Sequence, residues 1–200
     1  MIDFHKEIII NSPPGSGNMF CQSLMKENLY FELKWVNHDP EKFDEHLINL
    51  FILRNPYDSV ASSIELLYHD LAIKNKKYFL DNYKFRIGNT IIEQLNIYNT
   101  FLNYAKKFNY IHTADFDIIT TQPELFLDTI SKKFDIPFKK NRVNHEDVKL
   151  EMLKDKFLAT RLPREKSDLR KIIDKEVRRY YLVKDTHEMY LEHKKNLLIK

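Results

Sequence analysis

The sequence is poor in several features that would mark a secreted, membrane-spanning or nucleic-acid-binding protein. Its one cysteine, Cys21, excludes an intrachain disulfide, and its place in a helical apolar pattern predicts a buried structural thiol. No apolar run is long enough to span a membrane, no charged-then-apolar leader precedes the first predicted strand, and no Asn-x-Ser/Thr site is present. The net charge of +3 is too small to indicate a polyanion-binding surface. We therefore expect a cytoplasmic protein with neither a membrane nor a nucleic-acid partner.

Glycine is also scarce, and two of the three glycines lie in one loop, Gly15-Ser16-Gly17-Asn18. The loop follows the apolar run 8–10 and precedes a helix-like pattern over 20–25. A strand, a tight glycine-containing loop and a helix together present backbone N–H groups and a positive helix end to an anion. The loop lacks the Gly-x4-Gly-Lys-Ser/Thr pattern and contains no lysine, which argues against the P-loop of a nucleoside triphosphatase. An ordinary strand-to-helix turn is the alternative interpretation.

The apolar content of 43% in 200 residues is that of a folded domain with a sizeable core. Apolar segments predict strands near 7–11, 31–36, 48–53 and 110–114. Repeated strand-to-helix units predict an α/β fold, in which helices flank a doubly wound parallel sheet. The remaining predictions are a short helix over 41–46, a helix from 56, a helix and loop over 74–85, a long helix from 87 or 89 to 108, a helix opened by a capping box at 121–124, and helices near 147–157, 168–180 and 186–196.

Polar side chains follow the second and third predicted strands, at the edge where ligands of open parallel sheets bind. Arg54 directly follows the third strand and precedes a helix whose first turns carry Ser59 and Ser62. A guanidinium with hydroxyls at a helix N-terminus suits a second phosphate, and a capping or salt-bridging arginine is the alternative. His38 follows the second strand, where it could act as a base or serve as a structural histidine.

Four motifs, in the same order along the chain, resemble those of the PAPS-dependent sulfotransferases. Residues 14–20, Pro-Gly-Ser-Gly-Asn-Met-Phe, are similar to the Pro-Gly-Ser/Ala-Gly-Asn-Thr-Trp loop of a branch that includes the WSC-domain sulfotransferases. Residues 36–40, Val-Asn-His-Asp-Pro, resemble the segment Lys-Thr-His-Leu-Pro, and residues 54–62 resemble Arg-Asn-Pro/Ala-x-Asp-x-x-x-Ser. Residues 116–137 resemble a segment that runs from Tyr-Glu-Asp-Leu to Phe-Leu-Gly-Ile-Pro.

The resemblance implies a P-loop NTPase-like sulfotransferase fold in a single domain over 1–200, with a motif-bearing core at 7–137 and a charged helical part at 138–200. It implies transfer of a sulfuryl group from 3′-phosphoadenosine 5′-phosphosulfate (PAPS) to a hydroxyl or amine, without a metal. The product would be 3′,5′-adenosine bisphosphate, His38 would be the general base, and the acceptor would be a small molecule, a glycan or a peptide. The residues that would bind PAPS are Pro14, Gly15, Ser16, Gly17, Asn18, Met19, Phe20, Arg54, Ser62 and Phe116, and by position alone Arg161 and Arg164.

The chain departs from the family pattern at three positions of the loop. Gly15 replaces the lysine that many members use at the departing phosphate, Met19 replaces a hydroxyl near the 5′-phosphate, and Phe20 replaces a tryptophan that stacks on adenine. The family's C-terminal Arg-Lys-Gly segment has no recognisable counterpart. Two alternatives therefore stay open: a sulfotransferase-like nucleotide-binding protein without catalysis, and a P-loop nucleotide or nucleoside kinase.

Overall fold

The structure is a computed structural model that describes residues 6–74, 76–154 and 168–198, with the side chains of 35–37, 69–86 and 168 excepted. Four strands form an all-parallel sheet in the order β2-β1-β3-β4. This confirms the predicted parallel α/β sheet and the four predicted strands. Their bounds are β1 (Glu7–Asn11), β2 (Glu32–Asn37), β3 (Ile48–Leu53) and β4 (Ile111–Asp115).

Helices cover both faces of the sheet. Within the described ranges, no helix is long and apolar enough to cross a membrane. The predicted end of the helix near 147–157 lies outside the described residues. The helices are α1 (Asn18–Asn28), α2 (Pro56–Lys74), α3 (Lys76–Lys107), α4 (Phe116–Thr121), α5 (Pro123–Phe134), α6 (His145–Lys154), α7 (Asp168–Arg179) and α8 (Tyr181–His193), with 3₁₀ turns at Pro40–Lys42 and Lys194–Asn196.

The two faces of the sheet bury separate apolar layers, because successive strand residues point to opposite sides. Ile8 of β1 packs in one layer with residues of α1, α5 and α6, and this layer contains Cys21, whose predicted burial is confirmed. Ile9 packs in the other layer, where the rings of Phe51 in β3 and Phe101 in α3 stack at 5.8 Å. All of β3 after its first residue is buried, as its nearly continuous apolar sequence predicts.

The helix predicted after residues 121–124 is confirmed as α5, but three details of the predicted helical segments are wrong, and local contacts explain two of them. Over 41–46 the chain forms a 3₁₀ turn instead of a helix, because Asn49 bonds back to Asp44. Its Oδ1 accepts from the Asp44 N–H at 3.0 Å, and its Nδ2 donates to the Asp44 carbonyl at 2.6 Å. Thr121 ends α4 rather than opening a capping box, and its hydroxyl donates to a carbonyl of the preceding turn at 2.7 Å. The segment 76–85, predicted as helix and loop, is the continuous first part of α3.

The strand order creates a crevice at the carboxyl ends of β1 and β3. The chain leaves β1 towards β2 on one side of the sheet, and it leaves β3 towards β4 on the other. Connections that depart in opposite directions from adjacent parallel strands leave an opening, and ligands of open α/β sheets bind there. The loop 12–17 follows β1 and Arg54 follows β3, so both lie at this crevice.

Candidate functional site

Three strand ends meet in one site, and the loop 12–17 is at its centre. The Arg54 guanidinium, after β3, donates from Nη1 to the Gly15 carbonyl oxygen at 2.6 Å. The His38 ring, after β2, has Nδ1 2.7 Å from the Ser12 carbonyl oxygen. The structure thus brings together the loop, the arginine and the histidine that the sequence singles out.

The two loop glycines are required by the backbone and by close neighbours. Gly15 has φ +77° and Gly17 has φ +89°, left-handed values that other residues disfavour. A Cβ on Gly15 would lie 2.3 Å from the Ser59 carbonyl oxygen of α2, and a Cβ on Gly17 would lie 2.2 Å from Cε2 of Phe116. The loop is therefore held closely between the first turns of α2 and α4. A lysine, which many of the sulfotransferases that the loop resembles have at this position, has no room at position 15 unless α2 moves.

Side-chain hydrogen bonds tie the loop down. The Ser59 hydroxyl donates to the Pro14 carbonyl at 2.9 Å, so it accepts from the Ser16 hydroxyl, also at 2.9 Å. Ser12 and Asn18, both buried, bond to each other across the base of the loop. Because these side chains hold the loop itself, a ligand would be met mainly by the loop backbone.

The helix that follows the loop begins without an acidic or capping side chain. Gly17 occupies the N-cap, and no acidic residue lies in the first turn of α1. The first backbone bond of the helix runs from the Cys21 N–H to the Gly17 carbonyl at 3.2 Å. The N–H groups of a first turn have no acceptor within their helix, and the helix dipole makes this end positive. An anion is the ligand that suits such an end.

Arg54 lies between the loop and an aromatic ring. Its guanidinium carbon is 4.6 Å from the centre of the Phe116 ring, a cation–π distance. Burial lowers the pKa of Arg54, and the nearby Asp58 carboxylate opposes this, but an arginine in a protein keeps its charge. The Ser62 Cβ would be 3.0 Å from a Cβ on Gly15, so Ser62 also borders the loop. A guanidinium fork with a neighbouring hydroxyl suits a phosphate group.

The His38 ring is oriented by the loop. Because a carbonyl only accepts, Nδ1 must carry the proton that is shared with Ser12, and the neutral ring then has its lone pair on Nε2. Asn11 fixes this strand end by bonding to both the carbonyl and the N–H of Asp39, the latter at 3.3 Å. This is a tautomer that a general base can use. His38 and His46 are both exposed, but His46 precedes β3 and so lies at the opposite edge of the sheet, away from the loop.

One predicted ligand contact is corrected by the structure. Phe20 is 1% exposed and packs in the core layer, so its ring is not presented to the crevice. Phe116 is the aromatic ring beside the loop, where it is only partly buried. Met19 packs partly buried against the same core layer. Arg161 and Arg164 lie outside the described residues.

Sequence reasoning missed the polar groups at the fourth strand end. Asp115 ends β4, is 2% exposed, and pairs with Lys194 Nζ at 2.8 Å. It also accepts from the Asp117 N–H at 2.9 Å, so it caps α4. Next to this pair is an open cavity of about 520 Å³, lined in part by Thr121 and Gln122. An aspartate at a strand end can be recognised in a sequence. Its partner Lys194 cannot be predicted in the same way, because it lies far away in the C-terminal part of the chain.

No relative identifies the site. Comparisons of the chain with protein-family models, with curated proteins and with solved structures found no match. Among the described residues, no group of three or more His, Cys, Asp and Glu side chains is placed to hold a metal ion. The metal-free reaction that the resemblance implies stays a prediction.

Proposed function

We propose that this chain is a PAPS-dependent sulfotransferase with a P-loop NTPase-like fold. The proposal depends on one observation, which is that three features converge on the loop 12–17. Two left-handed glycines precede the positive end of α1, Arg54 bonds to the Gly15 carbonyl, and His38 bonds to the Ser12 carbonyl. The loop and the Arg54 guanidinium would each bind one phosphate group, and His38 would accept the proton that is lost in the transfer. The four motifs in family order support PAPS as the donor.

The donor would lie across two neighbouring strand ends. The 5′-phosphate would bind at the loop after β1, and the 3′-phosphate at Arg54 and Ser62 after β3. These strands pair directly, and paired strands are about 4.8 Å apart. Two anion sites side by side suit a nucleotide with phosphates on separate ribose oxygens better than the linear triphosphate of ATP.

The transfer would form one bond and break one. The acceptor oxygen or nitrogen attacks the sulfur, and the bond from sulfur to the oxygen that bridges it to phosphorus breaks. The bridging oxygen keeps the electron pair and leaves as part of 3′,5′-adenosine bisphosphate. His38 Nε2 takes the proton that the acceptor loses. Backbone N–H groups of the loop and of the first turn of α1 would stabilise the charge that develops on the 5′-phosphate.

A second candidate is a nucleotide-binding protein on the same scaffold that does not catalyse transfer. Gly15 favours it, because the contact at 2.3 Å between a Cβ and the Ser59 carbonyl leaves no place for the lysine that many sulfotransferases use. In the proposed enzyme, the backbone N–H groups of the loop and of the first turn of α1 must supply the stabilisation of the leaving group without a lysine. No observation in the described part of the chain favours the P-loop kinase.

A ligand panel followed by a transfer assay tests the proposal. Thermal unfolding is measured with 3′,5′-adenosine bisphosphate, with adenosine 5′-phosphate and with ATP and Mg²⁺, and a ligand at 100 times its Kd should stabilise the fold by about 2.7 kcal/mol. Stabilisation chiefly by the bisphosphate is expected, and stabilisation by ATP and Mg²⁺ alone would indicate a kinase. Sulfur-labelled PAPS with hydroxyl and amine acceptors then separates an enzyme from a binding protein. The proposal fails if the bisphosphate gives no stabilisation.

A further inference from the structure

A buried arginine of α7 holds the first turn of α2, directly behind the site. The Arg170 side chain is 6% exposed, and its Nη2 donates to the Asp58 carbonyl at 3.1 Å and lies 3.6 Å from Asp58 Oδ1. Its Nε is 2.8 Å from Asp174 Oδ1, and its Nη1 is 3.5 Å from Glu65 Oε2. Three carboxylates thus share one guanidinium between α7 and α2.

Packing alone does not require this cluster. The helices α2, α3, α7 and α8 already share an apolar core, to which Ile64 and Ile173 contribute as fully buried residues. A buried ion pair often adds little to stability compared with apolar side chains of similar volume. What the cluster does add is control over where the Asp58 carboxylate lies.

The position of Asp58 matters because it is close to Arg54. The Asp58 N–H donates to the carbonyl of Asn55, the residue after Arg54, at 3.0 Å. Of the carboxylates whose charge acts on the Arg54 guanidinium, that of Asp58 has the strongest effect on the Arg54 pKa. A carboxylate that turned to Arg54 would compete with a phosphate for the same N–H groups. In the structure, the Asp58 carboxylate forms an ion pair with Arg170 at 3.6 Å, and Arg54 donates to the Gly15 carbonyl of the loop.

We infer that Arg170 is a positioning residue of the nucleotide site, which keeps Asp58 on the α7 side so that Arg54 is available to a phosphate group. This inference rests on the proposed function, because it requires an anion at Arg54. Through Arg170, α7 would contribute to nucleotide binding without contacting the nucleotide itself.

Calorimetric titration with 3′,5′-adenosine bisphosphate tests the inference on four proteins: wild type, Arg170→Met, Asp58→Asn and the double variant. Arg170→Met should bind about tenfold more weakly, the effect of one lost charge-assisted hydrogen bond. Asp58→Asn alone should stay within about twofold of wild type, and in the double variant it should restore the affinity to within about threefold. Arg142→Met is the matched control, because it breaks an exposed pair with Glu124 on α5 and should bind like wild type.

Each outcome decides for or against the inference. Restoration of binding by Asp58→Asn supports it, since a merely structural role for Arg170 would not be rescued by removing a second charge. Weak binding that Asp58→Asn does not restore overturns it, and so does wild-type binding in Arg170→Met. If Arg170→Met does not fold, Arg170→Lys keeps the charge but not the fork, and the same weakening and rescue are expected at about threefold. A wild-type protein that does not bind the bisphosphate refutes the proposed function itself.

Discussion

Replacement of Gly15 by alanine should lower the free energy of unfolding by about 2–5 kcal/mol, because both the backbone and the surroundings exclude a side chain. The left-handed backbone, with φ +77°, costs an L-residue about 1–2 kcal/mol. The new methyl group would lie 2.3 Å from the Ser59 carbonyl oxygen and 2.9 Å from the Ser63 nitrogen. Both are backbone atoms of α2 and cannot rotate away, so overpacking adds about 1–3 kcal/mol. A domain with about 5–15 kcal/mol of net stability would lose a large share of it.

Gly88→Ala is the matched control for this prediction. Gly88 lies within α3, and a Cβ there would meet Tyr180 Cε2 at 3.7 Å, an ordinary contact. Alanine is preferred to glycine in a helix by about 0.5–1 kcal/mol, so this variant should be as stable as wild type or more so. Urea denaturation followed by circular dichroism gives both values, provided that the m-values agree. A Gly15→Ala protein as stable as Gly88→Ala would refute the reasoning, because it would show that α2 leaves room for a side chain at position 15.

Two further predictions concern histidines. His38→Asn should leave the binding of 3′,5′-adenosine bisphosphate nearly unchanged but lower sulfuryl transfer by about 10²–10⁴-fold, and transfer at the wild-type rate would remove His38 from the mechanism. Burial lowers the pKa of His193, whose Nε2 is 2.9 Å from the Thr113 hydroxyl. His193 therefore binds a proton more readily in the unfolded chain than in the folded one. The stability that neutral His193 contributes is present above about pH 6.5 and is lost as the pH falls below that value. The difference in unfolding free energy between wild type and His193→Asn should accordingly shrink from pH 8 to pH 5, and a constant difference would contradict this.

The strands and the edge of the sheet that carries the site can be predicted from the sequence. The run 48–53 is nearly all apolar because it is buried on both faces, and a short run of this kind is typical of a central strand in a parallel sheet. Parallel strands bring their carboxyl ends to one edge, so the predicted strands are sufficient to place the glycine loop, His38 and Arg54 together.

The contacts that shape the site cannot be predicted in this way, because they join residues far apart in the chain. Gly15 is needed mainly because the Ser59 carbonyl approaches it, and nothing in the local sequence shows that approach. The resemblance implies both Phe20 and Phe116 at the ligand, but the Phe20 ring on α1 is buried in the core and Phe116 lies beside the loop. The Lys194 partner of Asp115 likewise depends on how the C-terminal helices pack.

The central claim is that the site binds a nucleotide with a separate 3′-phosphate, and Arg54 tests it most directly. Calorimetry is used to titrate 3′,5′-adenosine bisphosphate and adenosine 5′-phosphate into wild type and Arg54→Ala. Wild type should prefer the bisphosphate, and Arg54→Ala should weaken its binding by about 1.5–3 kcal/mol. The loss for adenosine 5′-phosphate should be smaller and limited to what the Gly15 carbonyl contact contributes to holding the loop. A wild-type protein without preference for the bisphosphate, or an equal loss for both ligands in Arg54→Ala, would contradict the claim.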